Sequence, residues 1–116
     1  MSELPPAVQN MVAQLQQLQQ QLQVIINQRI QLEGLLKETE QAIAEIEKKV
    51  EDVPMYKAVG NILVKDTREN ILKELKEKKE TYEIRIKTLQ RQEERLRERF
   101  AETQKKLQEM LKVQAG

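Results

Sequence analysis

Two stretches of this chain carry apolar residues at alternating intervals of three and four, the spacing that aligns side chains along one side of an α-helix. Eleven of the thirteen positions in the first stretch and nine of the twelve in the second are apolar. Repeats sustained over this many heptads are typical of a left-handed coiled coil. We call these the seam positions: Val8, Met11, Leu15, Leu18, Leu22, Ile25, Arg29, Leu32, Leu36, Thr39, Ile43, Ile46 and Val50, then Leu72, Leu75, Lys79, Tyr82, Ile86, Leu89, Glu93, Leu96, Phe100, Thr103, Leu107 and Met110.

The segment between the two stretches has a different character. Residues 55–59 and 62–65 are rich in β-branched and other strand-forming types, and Gly60-Asn61 separates them. A Gly-Asn pair between two such runs predicts a β-hairpin with a type II′ turn, in which glycine supplies the positive φ. Asp66 is expected to cap the second helix, with Glu69 three residues later as in a capping box.

The two helical patterns are in register with the turn. If the chain folds back on itself, facing seam positions have numbers with a constant total, and Leu22 with Phe100 and Leu15 with Leu107 both give 122. Half of that total falls at Gly60-Asn61. The sequence therefore predicts one mainly α domain: a long antiparallel two-helix coiled coil (helices at about 6–51 and 67–113) with a β-hairpin at about 55–65 at the connecting end.

The same register places two charged seam residues, Arg29 and Glu93, opposite each other. A facing ion pair in the seam fixes the register of a coiled coil more than it stabilises it, because desolvation offsets most of the Coulomb attraction. The alternative is that both long side chains extend out to water.

The residue inventory excludes much chemistry. The chain has no Cys, His or Trp, and its one serine, Ser2, has no histidine to activate it. We therefore expect no catalytic site, no metal site, no cofactor and no enzyme activity. The net charge of +1 argues against nucleic acid as a partner, and the arginines of 91–99 are interleaved with glutamates, which favours a solvated face with helical ion pairs. Short apolar runs predict no membrane span and a cytoplasmic protein.

The predicted hairpin has apolar side chains on both faces and two unpaired strand edges. A lone two-stranded hairpin is marginal in water, and apolar edges invite pairing with other chains. Assembly of several hairpins into a larger sheet or barrel is the favoured interpretation, and a hairpin folded over the coiled-coil end as a cap is the alternative. The candidate assembly residues are Met55, Tyr56, Val59, Gly60, Asn61, Ile62, Leu63 and Val64.

Near both termini, apolar residues extend beyond the seam. A surface with methionines and aliphatic side chains can adapt to varied apolar segments. Ordinary terminal packing is the alternative. The candidate tip residues are Leu4, Val8, Met11, Val12, Leu15, Leu107, Met110, Leu111 and Val113.

The hairpin string MYKAVGNILVK (55–65), between a glutamine-rich heptad helix and the string RQEERL (91–96), resembles the β class of prefoldin subunits, of the archaeal type. The resemblance spans nearly the whole chain. It implies an ATP-independent chaperone: a hetero-hexamer of two α-class and four β-class subunits whose hairpins form a β-barrel. The tips would hold unfolded client proteins and transfer them to a group II chaperonin. The alternative function is a homo-oligomeric structural coiled-coil scaffold without chaperone activity.

Overall fold

The computed structural model of the protein describes residues 4–49 and 52–115. In chain order it contains helix α1 (Pro6–Lys48), strand β1 (Met55–Val59), strand β2 (Ile62–Asp66) and helix α2 (Arg68–Ala115). These elements divide into two compact units. The first combines the chain up to Arg29 with the chain from Thr88 onward, and the second is formed by residues 30–87. The predicted fold class, two long helices joined by a β-hairpin, is confirmed.

Helix α1 begins where the sequence predicts and ends slightly earlier. Pro6 occupies its first position, where the missing N–H costs nothing and the fixed φ suits the helix. The side-chain amide of Gln9 donates to the Leu4 carbonyl at 2.7 Å. At the other end the helix stops at Lys48, short of the predicted 51. The seam role of Val50 lies outside the described residues and stays a prediction.

The hairpin has the predicted turn. Val59 pairs with Ile62, so Gly60 and Asn61 are the two loop residues. Gly60 has φ +59°, and no described residue other than glycine has a positive φ. A positive φ at the first loop residue alone is the geometry of a type II′ turn. A side chain at position 60 would therefore strain the backbone.

The expectation that Asp66 caps α2 is wrong, since Thr67 is the capping residue. The Thr67 hydroxyl accepts a hydrogen bond from the Asn70 N–H at 3.1 Å, the bond that defines an N-cap. Asp66 is instead the last residue of β2, paired with Met55. Its carboxylate accepts from the Thr67 N–H at 2.8 Å and from the Asn70 side-chain amide at 3.0 Å. Asp66 and Thr67 are both residue types that can cap a helix. Strand pairing holds Asp66 in β2, which leaves Thr67 at the cap position of α2.

The seam positions form the core of each unit, as predicted. Every described seam residue is buried or half-buried, including the two threonines. Leu18 in the first unit and Leu32, Ile43 and Ile86 in the second are at most 9% exposed. Burying an aliphatic side chain to this degree stabilises the fold by about 1.5–3 kcal/mol. Ile71, which lies outside the heptad pattern, is equally buried at the start of α2.

Candidate functional site: assembly and binding surfaces

The hairpin exposes apolar side chains on both faces. We define the hairpin surface by its five most accessible large apolar residues. Strand alternation and the register place three of them on one face and two on the other. All five are more than a third exposed, with Leu63 at 72% and Ile62 at 63%. The hairpin surface consists of Val59, Ile62 and Val64 on the first face and Tyr56 and Leu63 on the second.

A charged cluster tethers the hairpin to α2 within the second unit. The Lys57 ammonium lies 3.0 Å from a Glu74 carboxylate oxygen and 3.6 Å from one of Asp66. The hydrogen bond and charge of Glu74, with a smaller contribution from Asp66, raise the pKa of Lys57. Hydrogen bonds from Asn70 and Thr67 lower the pKa of the Asp66 carboxyl. Both pKa shifts favour the charged forms of Lys57 and Asp66 at neutral pH.

An apolar cleft lies where the hairpin meets the helices of the second unit. It has a volume of about 260 Å³, and its lining includes Ile46, Val53, Met55, Tyr56 and Ile71. Met55 is half-buried at this base, unlike the residues of the hairpin surface. The base of the hairpin thus packs on its own chain, whereas Val59, Ile62 and Leu63 near the turn are exposed to solvent.

Arg29 and Glu93 face each other in the first unit, as the register predicts. The Arg29 Nε lies 3.0 Å from Glu93 Oε1, and the two side chains are 21% and 16% exposed. The other Glu93 oxygen is 3.5 Å from Arg97 Nε. The interpretation that both side chains extend into water is therefore wrong for this pair.

We predict that Arg29→Met lowers the free energy of unfolding by about 1–3 kcal/mol, because it leaves a largely buried carboxylate with one weaker partner. The double variant Arg29→Met/Glu93→Leu is expected to recover most of the loss. Urea denaturation followed by circular dichroism measures both. Lys48→Met is the matched control, since it breaks the exposed pair with Glu45 and is expected to cost less than about 0.5 kcal/mol. An Arg29→Met effect as small as the control's would contradict the role of the pair.

The candidate tip residues differ widely in accessibility. Leu4 is 50% exposed, Leu111 41% and Val113 82%, and we call these three the tip surface. Val8 is only 1% exposed, so it supports the tip surface from within rather than lining it. The remaining five candidates are half-buried: Met11, Val12, Leu15, Leu107 and Met110.

Sequence reasoning missed a groove in the first unit. It has a volume of about 670 Å³ and is lined by Val24, Ile25, Leu96, Arg95, Arg99 and four glutamines. Ile25 and Leu96 are seam residues, whereas Val24 lies beside the seam and is 55% exposed. Val24 is an exposed valine one position from the seam, and α1 has few other exposed aliphatic residues in this unit. That feature could have indicated the groove.

Comparison with known proteins identifies the family. A family model described as prefoldin subunit matches residues 9–114. The chain belongs to the prefoldin family. It is 71% identical to the prefoldin subunit beta of Archaeoglobus fulgidus, with both chains covered completely. It is 45% identical to that of Pyrococcus furiosus, covering 97% of this chain and 96% of the relative.

A solved structure gives the same assignment. The crystal structure of the prefoldin beta subunit from Thermococcus strain KS-1 matches with a TM-score of 0.89 at 41% identity, covering 96% of this chain and 97% of the other. The resemblance to the archaeal β class, carried by the hairpin string, is confirmed. Subunits of the prefoldin family form oligomeric complexes.

Residues 4–49 and 52–115 contain no cluster of three or more acidic side chains arranged to hold a metal ion. Over the same residues, neither α1 nor α2 has an apolar stretch long enough to cross a membrane.

Proposed function

We propose that this prefoldin chain is an ATP-independent chaperone subunit that holds unfolded proteins and transfers them to a group II chaperonin in the cytoplasm. The observation that carries the proposal is that one β-class prefoldin chain has two separate exposed apolar surfaces. The hairpin surface belongs to the second unit and the tip surface to the first. Two such surfaces allow one to assemble the complex while the other binds a client.

The hairpin surface is suited to assembly. Its apolar side chains cover both faces of a sheet of only two strands, and such a sheet gains stability by adding strands. Pairing at its open edges would bury this surface in a closed barrel and remove the edges. In our proposal, four copies of this chain and two α-class subunits contribute hairpins to that barrel.

The tip surface is suited to transient holding of clients. Three exposed aliphatic residues give only weak binding per chain, because each contact buries a small apolar area. Several tips in one complex act together, and their effective concentration raises the overall affinity without nucleotide hydrolysis. The flexible side chains of Met11 and Met110 lie half-buried beside the tip surface and can adjust to different client segments.

The native mass of the chain purified from its own source, with its co-purifying subunits identified, tests this proposal. We expect a hexamer with four copies of this chain and two of a larger subunit with two hairpins. That complex is expected to suppress aggregation of a chemically unfolded protein without ATP. A homo-oligomer without the larger partner and without this holding activity would contradict the proposal and support a structural scaffold.

A further inference from the structure

The groove of the first unit combines an apolar floor with a basic rim. Val24, Ile25 and Leu96 supply the aliphatic surface, and Arg95 and Arg99 lie one helical turn apart on α2 beside it. The remaining lining residues are glutamines, which can donate and accept hydrogen bonds but carry no charge. None of the described residues that line the groove is acidic.

The rim arginines have no ion-pair partner among the described residues, although Glu98 and Glu102 follow Arg95 and Arg99 by three positions on α2. From residue 4 to residue 28 the chain has no charged side chain, so α1 offers no carboxylate to the groove. Arg97, on another side of α2, is paired with Glu93. Among the ion pairs of residues 4–49 and 52–115, none involves Arg95 or Arg99. The groove therefore presents two available guanidinium groups next to aliphatic surface.

We propose that this groove binds client segments in which acidic side chains flank aliphatic ones. Two carboxylates four residues apart on a client helix have the spacing of Arg95 and Arg99, and guanidinium–carboxylate pairs are among the stronger hydrogen-bonded contacts. The client's aliphatic residues would contact Val24 and Leu96. A peptide fits this surface better than nucleic acid does, since no aromatic residue lines the groove to stack on bases.

This inference rests on the proposed function and names a class of client segment for it. Leu4 lies two residues before α1, and Pro6 and Val24 are about 27 Å apart along that helix at 1.5 Å per residue. A client of ordinary length can therefore contact the tip surface and the groove of one chain together, and two linked contacts hold it more tightly than either alone.

Binding of labelled peptides to the assembled, full-length complex tests the inference. The probe is a fluorescein-labelled amphipathic helix with a leucine stripe flanked by glutamates four residues apart, and its partner probe has glutamine in place of glutamate. We expect the glutamate peptide to bind at least about tenfold more tightly by fluorescence anisotropy. Equal affinity for the two peptides would overturn the inference.

Variants of the chain locate the binding. Arg95→Gln/Arg99→Gln is expected to remove the preference for the glutamate peptide, bringing the two affinities within about twofold. Lys105→Gln/Lys106→Gln removes the same charge from exposed positions of α2 outside the groove, and we expect it to keep the preference. If both double variants lose it equally, the preference comes from overall charge and the inference is wrong.

The apolar floor has its own matched pair of variants. Val24→Ser is expected to weaken binding of both peptides about threefold to tenfold. Ile30→Ser is the control and is expected to have no effect, because Ile30 is similarly exposed (57% against 55% for Val24) but lies outside the groove lining.

Competition with single-stranded oligo-dT adds a further check. Displacement of the glutamate peptide by oligo-dT at similar concentration would show a general anion site and overturn the inference.

Aggregation assays separate this inference from the proposed function. With a client rich in acidic amphipathic segments, Arg95→Gln/Arg99→Gln is expected to reduce holding severalfold, while a client without such segments is held as by the unaltered chain. If both clients are held normally, the groove has no role in client binding and the proposed chaperone function is unaffected. Failure of the unaltered complex to suppress aggregation of either client would instead contradict the proposed function.

Discussion

Replacing Val59 and Ile62 with glutamate is expected to abolish assembly while leaving the helices of this prefoldin chain folded. The two residues are 48% and 63% exposed and are directly paired across the turn, so in the isolated chain their carboxylates would remain in water. In an assembled sheet the same carboxylates would be buried side by side. Burial of an unpaired charge costs several kcal/mol, so the variant's hairpins would strongly disfavour assembly through this surface.

Native mass spectrometry and circular dichroism together measure this outcome. We expect the mass to fall to that of the single chain while the helical signal is kept. Ile30→Glu/Ile84→Glu is the matched control, because these residues of the same unit are 57% and 58% exposed but lie on helices. An unchanged native mass for the Val59→Glu/Ile62→Glu variant would show that the hairpin is not the assembly element.

Those elements of the fold that depend on local periodicity could be predicted from the sequence. The alternation of three and four locates the buried side of each helix before any partner is known, because helical geometry alone determines which residues align. The Gly60-Asn61 turn then fixes the register between the helices. The Arg29–Glu93 pair followed from these two facts and is present at 3.0 Å.

Features that depend on how elements meet in space could not be predicted in this way. The choice of Thr67 rather than Asp66 as the cap depends on where strand pairing ends. The Lys57–Glu74 contact depends on the angle between the hairpin and α2, although strand alternation does place Lys57 and Asp66 on one face. The shape of the groove likewise follows from the packing of two helices rather than from one helical pattern.

Removal of the tip surface is expected to abolish most client holding without affecting assembly. Truncation of residues 1–12 or 107–116 would achieve this, but it also removes Val8, which is buried, or the seam residues Leu107 and Met110. The triple variant Leu4→Ser/Leu111→Ser/Val113→Ser changes exposed side chains alone. Because several tips act together, a small loss at each one multiplies, and we expect holding to fall by about tenfold or more.

The measurement compares suppression of aggregation with native mass for the same preparation. Leu35→Ser/Ile84→Ser is the control, since it removes exposed aliphatic surface, 38% and 58% accessible, from the second unit. The control is expected to hold clients normally. Loss of the oligomer in the tip variant would contradict the separation of assembly from holding, because assembly would then depend on the first unit. Equal loss of holding in both variants would mean that any exposed aliphatic surface binds clients, and the tip surface would have no special role.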